Sequence, residues 1–69
     1  MDTLNEVMGT LEDAGYDVYI VEEDFDYFMI EGDASVAYDL EQIITEIVGE
    51  DAIVEIQDYT ASIYFTIEI

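Results

Sequence analysis

Residues 52–69, AIVEIQDYTASIYFTIEI, decide the fold. Ala52 to Gln57 and Ser62 to Ile69 are rich in Ile, Val, Tyr and Phe, the residues that fit a pleated, half-buried surface. Asp58-Tyr59-Thr60-Ala61 between them reads as a hairpin turn. Just upstream, Val36, Leu40, Ile43, Ile44 and Ile47 recur at the spacing that lines one side of a helix. Asp33 or Ser35 is placed to cap that helix, and Gly49 to stop it.

The first half repeats the order. Leu4, Val7, Met8 and Leu11 mark a helix. Asp2 or Thr3 can cap it, with Glu6 three residues beyond Thr3 as in a capping box, and Gly15 ends it. Tyr16 to Glu22 reads as a strand, Glu23-Asp24-Phe25-Asp26 as a turn, and Tyr27 to Glu31 as a second strand ending at Gly32. A shift of 36 positions lays Leu4 on Leu40, Val7 on Ile43, Met8 on Ile44 and Leu11 on Ile47. The same shift lays Val18 on Val54, Ile20 on Ile56, Tyr27 on Ile63 and Met29 on Phe65. The match is of apolar pattern, so it fits a duplication or merely two helix-hairpin units of similar build.

The 69 residues suffice for one domain, divisible into α-β-β halves at 1–32 and 33–69. The order αββαββ predicts an α+β fold, a four-stranded antiparallel sheet with two helices on one face. Val18, Ile20, Tyr27, Met29, Val54, Ile56, Ile63, Phe65 and Ile67 are expected to face the helices. The opposite phase then carries Tyr19, Val21, Phe28, Ile30, Ile53 and Tyr64 among Asp17, Asp26, Glu55 and Glu68. That is much apolar surface for a solvated face. Either one strand's phase is displaced, or curvature covers the face, or it is an interface. In the last case Tyr19, Phe28, Ile30 and Tyr64 are the apolar contacts, to a partner or to a second copy.

Charge is the other decisive feature. The chain has 19 Asp and Glu, no Lys, Arg or His, and a formal charge of −19. Ordinary usage would supply about eight basic residues in this length. Their absence costs stability, because no carboxylate has a side-chain cation to pair with and like charges loosen a compact state. At 52% hydrophobic the chain is nevertheless too apolar to be a disordered acidic tail. A domain this small, without a single cysteine for stapling, is expected to keep lysines unless its working surface excludes them.

Several kinds of chemistry are excluded. Without His, Cys or Lys there is no imidazole base, thiolate or Schiff-base amine, and Ser35 and Ser62 have no activating partner, so no enzyme is expected. Glu22 to Asp26 with Glu31 and Asp33 is the densest acidic cluster, but it departs from the calcium-loop pattern. Counted from Asp24, Met29 stands where that loop needs Gly and Ser35 where it needs Glu. No metal or other cofactor is expected. Direct nucleic-acid binding fails for want of any Lys or Arg to neutralise phosphate and release its counterions. The start, Met1 to Glu6, lacks the basic flank and apolar run of a signal peptide, and no stretch is long enough to span a bilayer. Together with the missing cysteines this predicts a cytoplasmic protein.

What remains is the charge itself. Duplex DNA carries one charge per about 1.7 Å of axis, so 19 charges match roughly 32 Å of duplex. A folded domain of this length is about as long. Carboxylates two apart on a strand sit about 6.6 Å apart, a spacing comparable to that of phosphates. The surface set is Glu22, Glu23, Asp24, Asp26, Glu31 and Asp33, mirrored in the second half by Glu50, Asp51, Glu55 and Asp58. Asp39 and Glu46 join them on the outer side of the second helix.

In size, acidity and lack of basic residues the chain resembles the DNA-mimic inhibitors of phages and mobile elements, the small anti-CRISPR and anti-restriction proteins. The resemblance covers the whole chain by character and rests on no motif. It implies an inhibitor, monomeric or homodimeric, in the cytoplasm of an infected cell. Its partner would be a basic nucleic-acid-binding complex, a CRISPR effector being favoured, held at its DNA-binding or PAM-reading surface. An immunity-type nuclease inhibitor would follow the same physics. A halophile-adapted structural or interaction domain would be acidic for another reason, though ten isoleucines and nine aromatics are more than that reason requires.

Overall fold

A computed structural model describes residues 2–69. Helix α1, Thr3–Asp13, is capped by Asp2, whose carboxylate accepts from the Leu4 N–H at 3.2 Å. Of the two expected caps, the residue before Thr3 serves. Gly15 takes a positive φ of 94°, which lets the Tyr16 N–H reach the Leu11 carbonyl and its own N–H the Glu12 carbonyl, both at 3.0 Å. These paired bonds satisfy the last carbonyls of the helix and turn the chain toward strand β1, Val18–Glu23.

Strand β2 is Tyr27–Asp33. It runs through Gly32 instead of ending there, because Gly32 is a close-approach site. A Cβ on Gly32 would lie 2.5 Å from a methyl of Leu40, so glycine lets the second helix settle this near the sheet without displacing that side chain. Asp33 then caps a single 3-10 turn, Ala34–Val36, by accepting from the Ser35 N–H at 2.9 Å. Helix α2, Ala37–Val48, follows without a side-chain cap of its own and stops at Gly49, φ 89°. A second 3-10 turn, Glu50–Ala52, leads into β3, Ile53–Asp58, and β4, Ser62–Glu68.

The sheet is antiparallel throughout, in the order β1-β2-β4-β3. This is the α+β architecture expected from the element order, with each half contributing one hairpin and the two second strands pairing at the centre. Leu4, Val7 and Leu11 of α1 and Leu40 and Ile44 of α2 lie over Val18, Phe28, Ile30, Ile63, Phe65 and Ile67. All are buried, and burying each large side chain contributes about 1.5–3 kcal/mol.

Strand β2 has the opposite phase from the one expected. Phe28 and Ile30 are buried under the helices, and Tyr27, Met29 and Glu31 turn to the other face. The error comes from the shift between halves. Strands β1 and β3, and likewise β2 and β4, are 35 positions apart, as Val18 to Ile53 and Tyr27 to Ser62 show. A one-residue slip reverses every side chain of a strand. Ile53 accordingly takes Val18's place on the helix side, opposite Ile67. Val54 falls in a bulge between Ile53 and Glu55, and Val21 in a second bulge between Ile20 and Glu22. Ile20 and Ile56 are paired with the inward Ile30 and Phe65, yet stay exposed at the sheet margins beyond the helices' reach.

Candidate interaction surface

No helix covers the second face of the sheet, and the strand registers fix what lies on it. One row across the sheet reads Tyr19, Glu31, Tyr64, Gln57, each opposite the next. The adjacent row reads Glu22, Met29, Thr66, Glu55. Tyr27 opposite Glu68 and Asp33 opposite Ser62 close the two ends. Every tyrosine on this face has a carboxylate neighbour.

The pairings leave electrostatic signatures. The Glu22 carboxylate raises the Tyr27 pKa above its ordinary 10.0, and partial burial and the surrounding negative charge add to this. The Tyr64 hydroxyl is raised by partial burial and then by Glu31. Tyr59, from the β3–β4 turn, folds down so that its ring meets Tyr64 edge-on, centroids 5.5 Å apart at 86°. Asp33 is held below its ordinary value, chiefly by the Ser35 backbone N–H. A hollow of about 250 Å³ opens at this end, lined by Asp17, Tyr19, Glu31, Gly32, Asp33, Ala61 and Ser62.

The other acidic residues lie elsewhere. Asp24 and Asp26 flank Phe25 in the β1–β2 turn, and Asp24 accepts from the Phe25 N–H at 2.7 Å. Glu50 and Asp51 lie in the 3-10 turn entering β3, at the same end of the sheet. Glu23 ends β1 opposite Phe28, and Asp58 ends β3 at the far end. Asp39 and Glu46 are exposed on α2, where Asp39 accepts from the Tyr16 hydroxyl at 3.2 Å. Thus, of the twelve carboxylates expected to act as one set, the structure brings Glu22, Glu31, Asp33 and Glu55 onto the open face and scatters the rest.

Two of the four expected apolar contacts, Tyr19 and Tyr64, are on that face; Phe28 and Ile30 belong to the core and contact nothing outside it. Tyr27, Met29 and Thr66 complete the face together with Glu68; the first two were expected under the helices, whereas Glu68 was expected here. The sequence did hold a signal for the first two. Glu31 and Asp33 share their parity, and two carboxylates in a run through Gly32 mark the wet side of a strand. Phe25 was also missed; at 90% exposure it is the most exposed large apolar side chain among the described residues.

Among the described residues no charged side chain is buried, and no three carboxylates converge as metal ligands. No helix among them is long and apolar enough to cross a membrane. Comparison with protein-family models, with curated proteins and with solved structures finds no match for the chain.

Proposed function

We propose that the protein is a non-catalytic inhibitor that offers a basic nucleic-acid-binding protein a folded substitute for polyphosphate. The observation that carries this is the joining of −19 formal charge, with no side-chain cation, to a well-formed core and an entirely external charge set. The body measures 29 × 23 × 20 Å. A duplex as long as its long axis carries about 17 charges at one per ~1.7 Å. The protein therefore matches a duplex in charge per length while holding that charge on a rigid frame. A CRISPR effector is the target class we favour, from the resemblance in size and acidity; a restriction enzyme or a nuclease cleft presents the same basic chemistry.

Association between such surfaces is fast and weakens steeply with salt, since exposed charges are screened over about 8 Å at physiological ionic strength. The test is capture of the partner on immobilised protein, followed by elution with duplex DNA and repetition across a salt series. Mimicry requires that DNA and this protein displace one another, and that affinity fall by orders of magnitude between low and tenfold higher salt. Simultaneous binding of both, or an affinity indifferent to salt, overturns it. An absolute need for molar salt to fold would point instead to adaptation to brine.

A further inference from the structure

We infer that the open sheet face is the docking surface, and that it takes arginine side chains of a basic partner. This deepens the inhibitor reading and rests on it. The strand pairings give this face an aromatic floor. Tyr19, Tyr27, Met29 and Tyr64 are presented there, each beside Glu22, Glu31 or Glu68. The helix side has exposed carboxylates as well, but of the tyrosines only Tyr38 stands well exposed on it.

The chemistry of the rows selects the guanidinium. Glu31 lies between Tyr19 on one neighbouring strand and Tyr64 on the other. Strands about 4.8 Å apart put a ring on each side of that carboxylate. A planar guanidinium can take both oxygens of a carboxylate while lying against a ring. An ammonium gains the charge but not the stacking, so arginine is preferred to lysine. Tyrosine and arginine are also the residues that dominate the centres of interfaces.

Charge decides between the occupants. Four strands of six or seven residues make a face on the order of 400 Å², about half of what one partner brings to a standard interface. A second copy seated on it would set Glu22, Glu31, Asp33, Glu55 and Glu68 against themselves, with no side-chain cation in either chain. Nucleic acid is repelled for the same reason. A basic protein is the complementary occupant.

The test uses nona-arginine and nona-lysine peptides as probes, titrated into the full chain at physiological salt. Nona-arginine should bind about fivefold tighter than nona-lysine. The face variant Tyr19→Ser/Glu22→Gln/Glu31→Gln should lose about tenfold for nona-arginine. The control Tyr38→Ser/Glu6→Gln/Glu46→Gln, which removes the same ring and the same charge from the helix side, should lose less than about threefold. Equal losses in the two variants overturn the face while leaving mimicry by overall charge standing. Equal affinity for the two peptides overturns the arginine preference. Should the face variant fold poorly, the unmodified protein decides, because Tyr19 and Tyr64 ring resonances must move with nona-arginine and Tyr38 must not. A natural partner that is captured but ignores DNA would sink the inhibitor reading and leave this face intact.

Discussion

The two α-β-β halves use strands of equal length, 35 positions apart, and turn matching positions toward the core: Val18 and the partly buried Ile53, Phe28 and Ile63, Ile30 and Phe65. Charge does not separate them, since residues 1–32 carry ten carboxylates and 33–69 carry nine. They part at three places. Gly32 of β2 stands where β4 has Ile67, the bulge of β1 is at Val21 and that of β3 at Val54, and the hairpin tips differ. Tyr59 at one tip is laid down on Tyr64, whereas Phe25 at the other stands free. The inward pattern is repeated because both hairpins must close the same core. The differences concentrate where a helix comes close or where the chain meets solvent, positions at which each half is free to diverge.

The deepest test of the shared inward pattern is to truncate both sides of one strand. Phe28→Ala should cost about 3–5 kcal/mol in urea denaturation, and Phe65→Ala a like amount. Tyr27→Ala, one residue away on the open face, should cost less than half as much. Parity between Tyr27→Ala and Phe28→Ala would mean that β2 is turned the other way.

The Gly32–Ile67 difference is tested by giving β2 a side chain at that position. Gly32→Ala should destabilise by about 1–3 kcal/mol, because the Leu40 methyl it meets is buried and must shift within a packed core to admit the Cβ. Adding Leu40→Val should recover part of the loss, and strict additivity would show that the two do not touch. At the tips the contrast is smaller. Tyr59→Ser gives up an aromatic pair worth about 0.5–1.5 kcal/mol, and Phe25→Ser should stay within about 0.5 kcal/mol of the parent.

The smallest effect is electrostatic and pairs one tyrosine from each half. Tyr27 and Tyr64 should ionise above 10.0 in an ultraviolet titration. Glu22→Gln should lower the first alone, and Glu31→Gln the second alone. Since the folded chain holds these protons longer than the unfolded chain, their contribution to stability is complete below about pH 10 and fades as pH rises through the folded values. Unchanged titration curves in both variants would dissolve the tyrosine–carboxylate pairs.

The elements were legible because their signals are local. Leu4, Val7 and Leu11, then Leu40 and Ile44, carry the helical period, and Gly15 and Gly49 stop the helices where their positive φ values require glycine. The phase of β2 was not legible from the repeat. The apolar stripe of a helix is broad enough to tolerate an offset of 36 in place of 35, but a strand with period two is not. Taking Gly32 as the strand's end also hid the parity of Glu31 and Asp33. The bulges at Val21 and Val54 have no sequence signal of their own. For the candidate site, residue type was plain and grouping was not. Carboxylates are visible one by one, but only the pairing of β2 with β4 puts Glu31 beside Tyr64 and Tyr27 beside Glu68.

The bulged outer strands have a consequence of their own. β1 and β3 leave backbone donors and acceptors open along both margins, with Ile20, Val21, Val54 and Ile56 beside them. Proteins commonly guard such margins with lysine, and this chain has none. Its guard is the two kinks and the anionic side chains Glu22, Glu23, Glu55 and Asp58, and the anionic part lasts only while those side chains stay ionised. Acidification that neutralises the chain's carboxylates strips it away and invites neighbouring molecules to zip together strand by strand. One electrical property thus keeps the copies apart and draws in a cationic stranger, and a fall in pH would switch off both.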